Sequence, residues 1–250
     1  MRSAMSSNPP GPRLALLGAA AGVVLALHTA VHVAAMRRDG RAWRALDHTA
    51  DLPGATPGLR LVVLGDSAAA GHGLAAATEA LPWRVATRVA RATGRAVEVE
   101  AHARSGAGTA DVVDEQVSQV DEADVVVVGV GVNDALAPSG LARIGRDTAR
   151  LLVDVRARAP GAEVVLLTCP DLGTAPGVPR PLAPLVAWRC RRVATVQATA
   201  AARAGVAVVA TPGPLPANAF GADGFHPGPW AVEQLAEQVV GVLRVVPPDR

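Results

Sequence analysis

Two short stretches hold side chains that could act together on a substrate. Gly65-Asp66-Ser67 places a hydroxyl just after the apolar run Leu61 to Leu64, and Asp223-Gly224-Phe225-His226-Pro227 places an acid three residues before a histidine. A free serine is inert until a neighbouring base takes its proton, and a histidine steadied by a carboxylate is such a base. Two further stretches lie between them. Ser105-Gly106-Ala107-Gly108 is a glycine-bearing turn whose Gly106 amide is free to point into a cleft, and Gly131-Val132-Asn133-Asp134 offers a side-chain amide that could donate to an oxyanion. Each stretch also has a plainer reading. Asp66 or Ser67 suits a helix N-cap, Thr109 caps the next helix, Asn133 suits an Asx turn, and a lone histidine such as His226 is most often structural or a solvated loop residue.

These residues gain meaning from the elements that must position them. LVVL (61–64), AVEVEA (96–101), DVVVVGV (124–130), EVVLLT (163–168) and VAVVA (206–210) are short β-branched runs that predict strands, the alternating second one an edge. Between them, 81–93, 110–121, 141–159, 182–204 and 230–243 carry polar residues on one side, as helices do. Strand and helix alternate, which predicts a parallel sheet with helices on both faces and reactive groups at the carboxyl ends of the strands. Every stretch above falls at such an end or at a helix start. The proline-rich stretch 170–184 reads as a long loop rimming a site.

Taken in this order, GDS, a glycine block, GxND and DxxHP resemble the blocks of the SGNH, or GDSL-type, hydrolases. The resemblance covers residues 60–245 and includes TCPDLG (168–173). It implies an α/β fold: a three-layer α/β/α sandwich with a five-stranded parallel sheet, flavodoxin-like. It implies carboxylic ester hydrolysis of the esterase or lipase kind, without metal or organic cofactor, on a small-molecule, lipid or glycan ester. Ser67 would be the nucleophile, His226 its base and Asp223 the acid that orients it. The amides of Ser67 and Gly106 and the Asn133 side chain would form the oxyanion hole. Asp66, Asp134 and Asp171 are expected to serve loop structure. Ala68 stands where the family's older name calls for leucine, and aromatic content is low. An O-acetyl esterase acting on cell-envelope polysaccharide and a non-catalytic binding module on the same scaffold are the alternatives.

Composition excludes other classes. All 24 basic residues are arginines and they are scattered, the net charge is +2, and there is no tyrosine, so nucleic acid is not an expected partner. Gly71-His72-Gly73 lacks the further glycine of a dinucleotide fingerprint, and a chain without lysine has no P-loop. Cys169 and Cys190 are too few for a disulfide framework, and two buried free thiols is the simpler expectation beside a single bridge. Residues 14–36 contain no Asp, Glu, Lys or Arg and are long enough to span a bilayer. The expected organisation is a tail over 1–13, an uncleaved signal anchor or a signal peptide over 14–36, a linker over 37–59 and the hydrolase domain over 60–250. Membrane attachment through 14–36 would put the domain outside the cytoplasm, although Arg37, Arg38, Arg41 and Arg44 argue for the opposite orientation. The sequence leaves the oligomeric state open.

Overall fold

The structure is a computed structural model that describes residues 49–211 and 213–245. The tail over 1–13, the apolar segment over 14–36 and the linker up to residue 48 lie outside the described residues.

Six strands form one sheet: β1 (Thr49–Leu52), β2 (Ala55–Gly65), β3 (Arg95–Ala103), β4 (Val125–Gly129), β5 (Glu163–Leu167) and β6 (Ala207–Val209), in the order β1-β3-β2-β4-β5-β6. All neighbours are parallel except β1, which runs antiparallel along β3. Without β1 the order is the flavodoxin-like one, with its topological switch beside β2. The helices are α1 (Leu81–Thr93), α2 (Thr109–Glu115), α3 (Val132–Leu136), α4 (Leu141–Arg158), α5 (Ala183–Ala204) and α6 (Pro229–Val242).

The central strands are apolar on both faces because both faces are covered. In β4, Val125 and Val127 join Leu61, Val63, Val165 and Leu167 beneath α1 and α6, while Val126 and Val128 join Val62, Leu64, Val164 and Leu166 beneath α2, α4 and α5. Burial of each such side chain contributes roughly 1.5–3 kcal/mol of transfer free energy.

The structure corrects three expectations. The sheet has six strands instead of five, and residues 49–52 and 55–59, expected to belong to a linker, are the antiparallel strand and the start of β2. Pro53 and Gly54 form the connection between the two strands and Pro57 lies near the start of β2, so the stretch reads locally like a tether. The edge expected over 96–101 is also displaced inward, because β1 covers it. The alternation of β3 reports burial on one face: Val97 and Val99 pack in the core, while Glu98 is exposed and Glu100 pairs with Arg60 at 3.0 Å.

Candidate active site

β2 ends at Gly65, in register with Gly129 on one side and Ala103 on the other, so the three strand ends carrying the sequence stretches lie side by side. Gly65 has no room for a side chain, since a Cβ there would run into the Gly129 carbonyl oxygen. Its own amide and carbonyl are held by the Gln116 side chain, through Gly65 N–H to Oε1 at 2.8 Å and Nε2–H to the Gly65 oxygen at 2.9 Å. The Asp66 amide donates to the Gly129 carbonyl at 3.1 Å. The turn that presents Ser67 is therefore pinned from both neighbouring strands and from α2's end.

Ser67, His226 and Asp223 meet in one hydrogen-bonded row. His226 Nε2 lies 2.9 Å from Ser67 Oγ, and His226 Nδ1 lies 2.5 Å from Asp223 Oδ2. Asp223 Oδ1 accepts the backbone N–H of Phe225 at 2.9 Å and of His226 at 3.0 Å. His226 is 4 % exposed. Burial opposes ionisation of Asp223, but its bonds from His226 and these two amides outweigh it and hold the carboxyl well below the usual range. With Asp223 ionised, Nδ1 carries the proton and Nε2 is left as acceptor for the serine hydroxyl.

Gly106 sits in the turn after β3 at a φ of +82°, a conformation that favours glycine, with open space where a Cβ would be. Asn133 donates from Nδ2 to the carbonyl of Ala107, the residue after Gly106, at 2.9 Å. Its neighbour Asp134 accepts from both N and Oγ1 of Thr109, at 2.9 and 2.8 Å. The turns after β3 and β4 are thus laced together, with Gly106 and Asn133 on the two sides of the seam.

The other carboxylates hold loops. Asp66 is buried and accepts from the Ala68 amide at 3.0 Å, and burial raises its carboxyl to about 6 against the pull of that bond and of His226. Burial likewise raises Asp134, with the Thr109 bonds opposing. Asp171 caps the turn at Gly173 and pairs with Arg191 at 2.7 Å. Cys169 and Cys190 are buried free thiols.

Three supporting residues escape a reading by motif. Gln116 clamps Gly65 as described. Gln197, fully buried on α5, accepts from the Cys169 amide at 2.8 Å and donates to the Val130 carbonyl at 2.8 Å, bridging the ends of β5 and β4. His72 stacks on His226. A polar residue on the buried stripe of Val193, Ala200 and Ala201 was the signal available for Gln197. His72, Asp223 and His226 also bring one ligand atom each within 4.8 Å of the others. Of these, Asp223 and His226 are already bonded to each other, Oδ2 to Nδ1, at 2.5 Å.

Residues 63–231 match the GDSL-like lipase/acylhydrolase family. A GDSL-like esterase from Mycobacterium tuberculosis is 35% identical over 198 residues, which are 74% of this chain and 62% of that protein, so the chain spans less than two thirds of that relative's length. The crystal structure of TesA covers 75% of this chain and 99% of its own, at 25% identity and a TM-score of 0.61. The extracellular lipase from Streptomyces rimosus shares the fold at 21% identity and a TM-score of 0.56, over 74% of this chain and 100% of its own. With the match running over most of the described residues and through all four of these stretches, the chain belongs to the GDSL-like lipase/acylhydrolase family.

Proposed function

We propose that this chain is a serine hydrolase that cleaves carboxylic esters by two-step acyl transfer through Ser67. The observation that carries the reading is the row Ser67 Oγ, His226 Nε2, His226 Nδ1, Asp223 Oδ2, with spacings of 2.9 and 2.5 Å, at the end of the central strand.

Ser67 Oγ attacks the ester carbonyl carbon as its proton passes to His226 Nε2, giving a tetrahedral intermediate. The negative oxygen is held by the backbone amides of Ser67 and Gly106 and by the second N–H of Asn133 Nδ2. Collapse expels the alcohol, which takes the proton from Nε2 and leaves an acyl-Ser67 ester. A water molecule gives a proton to Nε2, attacks the acyl carbon and releases the acid, returning the proton to Oγ. Asp223 stays ionised, keeps Nδ1–H pointed at itself and stabilises the imidazolium that forms twice per cycle. The substrate is a small-molecule, lipid or glycan ester.

The apolar stretch 14–36 supports attachment to a membrane. No helix among the described residues is long and apolar enough to cross one. Resistance of the full-length chain to carbonate extraction tests the attachment, and protease accessibility of the domain in intact cells reads the side on which it lies.

Labelling with a fluorophosphonate and mapping of the adduct, beside a p-nitrophenyl ester series, tests the chemistry. The adduct is expected on Ser67, and Ser67→Ala should abolish turnover while the protein stays folded. Turnover that survives in Ser67→Ala overturns the proposal.

A further inference from the structure

We propose that His72 is a positioning residue that sets the tilt of the His226 imidazole by packing against its face. The inference rests on the reading of His226 as general base and adds the element that row of hydrogen bonds cannot supply.

Hydrogen bonds at Nδ1 and Nε2 define a line through the His226 ring, and the ring can still tip about that line. Tipping swings Nε2's lone pair off the serine hydroxyl without breaking either contact outright. What resists it is packing on the ring's faces. The His72 ring lies against His226 with centroids 4.0 Å apart and planes 34° apart, and Phe225 meets it edge-on at 5.3 Å and 75°. His72 is 5 % exposed, so the contact is shielded from bulk water.

His72 also belongs to the nucleophile's own turn. Its backbone N–H donates to the Ser67 carbonyl at 2.9 Å, so one short stretch carries both the hydroxyl and the plate against which the base rests. A shift of Ser67 and a shift of His226 are thereby coupled, which matters because a misplacement of about 1 Å can cost roughly 100-fold in rate.

The plate has to be neutral, since a charge there would oppose protonation of His226 during attack. Burial, with the charge of His226 added, holds the His72 imidazole far below its ordinary range, and the Asp223 carboxylate opposes this only in part. Asp223 at Nδ1, the serine hydroxyl at Nε2 and, at longer range, Asp66 also face His226.

The test compares His72→Ala and His72→Phe in the full-length protein. Each is followed by kcat and KM for p-nitrophenyl acetate across pH, by the downfield proton resonance of His226 Nδ1–H and by thermal unfolding. In His72→Ala, kcat should fall about 10- to 100-fold with KM changed less than about threefold, and the resonance should broaden. In His72→Phe, a flat neutral ring should restore kcat to within about threefold and sharpen the resonance. Wild-type kcat and an unbroadened resonance in His72→Ala overturn the proposal, as does a His72→Phe variant no better than His72→Ala. If His72→Ala does not fold, His72→Leu against His72→Phe makes the same comparison of an aliphatic with a flat side chain. Hydrolysis surviving in Ser67→Ala would defeat the acyl-transfer reading alone, because the resonance reports the packing of His226 without reference to turnover.

Discussion

Asp223 grips His226 at two points: Oδ1 accepts the His226 backbone N–H at 3.0 Å while Oδ2 lies 2.5 Å from Nδ1 of the same residue. The carboxylate therefore fixes both the backbone from which the imidazole hangs and the tautomer of the ring. A separation of three residues makes this double contact possible within one turn, and the isolated bridge between Phe220 and Pro227 closes the loop around it.

Replacing Asp223 by asparagine separates these functions. The amide oxygen can still accept the Phe225 and His226 backbone N–H groups, but its NH2 faces Nδ1 and favours the tautomer with the proton on Nε2. Turnover should fall by about 10²- to 10⁴-fold, with near-native circular dichroism. The carboxyl is held below its ordinary range, so its contribution to stability is present above the unfolded-state value near pH 4 and is lost as the pH falls further. The melting temperature of wild type relative to Asp223→Asn should accordingly drop below about pH 4, and a difference that does not vary with pH would contradict the assignment.

Asn133→Ala removes one proposed oxyanion donor and the bond to the Ala107 carbonyl. Loss of a donor of this kind costs roughly 100- to 1000-fold in kcat with little effect on ground-state binding. Steady-state kinetics on a short-chain ester separates this outcome from a general loss of the turn, which would raise KM as well.

Asp66 makes the opposite pH prediction from Asp223. Its carboxyl is raised by burial to about 6 in the folded chain, so between about pH 4 and 6 the folded state holds a proton that the unfolded state has released. Stability contributed at this site therefore falls as the pH rises through that window, by at most about 3 kcal/mol at 1.36 kcal/mol per unit. Asp66→Asn keeps an oxygen for the Ala68 amide and removes the titration. The variant should melt higher than wild type at pH 7, and the gain should disappear near pH 4. A thermal-shift series across that range checks it.

The parts of this site that lie in short, locally punctuated stretches were legible in the sequence. Ser67, Gly106, Asp223 and His226 occupy turns and Asn133 the first turn of the short helix α3, stretches where glycine, asparagine and proline mark the backbone. The central strands were legible for the same kind of reason, since burial on both faces leaves runs such as VVVV with no polar interruption. What the sequence concealed depends on long-range pairing. β1 is four residues long and draws its identity from β3, some fifty residues on, so its TADL reads as linker until the partner is in place. The supports escaped likewise: Gln116 serves a glycine 51 positions away, and Gln197 serves groups 28 and 67 positions away, distances over which no local pattern carries information.

Gln197 provides the sharpest test of those hidden supports. Its carboxamide is 0 % exposed and satisfies the Cys169 amide and the Val130 carbonyl together, at the ends of β5 and β4. Gly131 passes directly against it, so the side chain also sets how closely the turn carrying Asn133 approaches α5. Gln197→Leu fills similar space but leaves a buried donor and a buried acceptor without partners, each at roughly 1–3 kcal/mol, for a loss of about 2–6 kcal/mol. In a domain of this size that corresponds to a melting temperature lower by roughly 5–15 °C. Because the orphaned groups sit beside the Asn133 turn, kcat should also fall, by a smaller factor than in Asn133→Ala. An unchanged melting temperature in Gln197→Leu would mean that water or a backbone shift satisfies both groups, and the bridge would then have no structural weight.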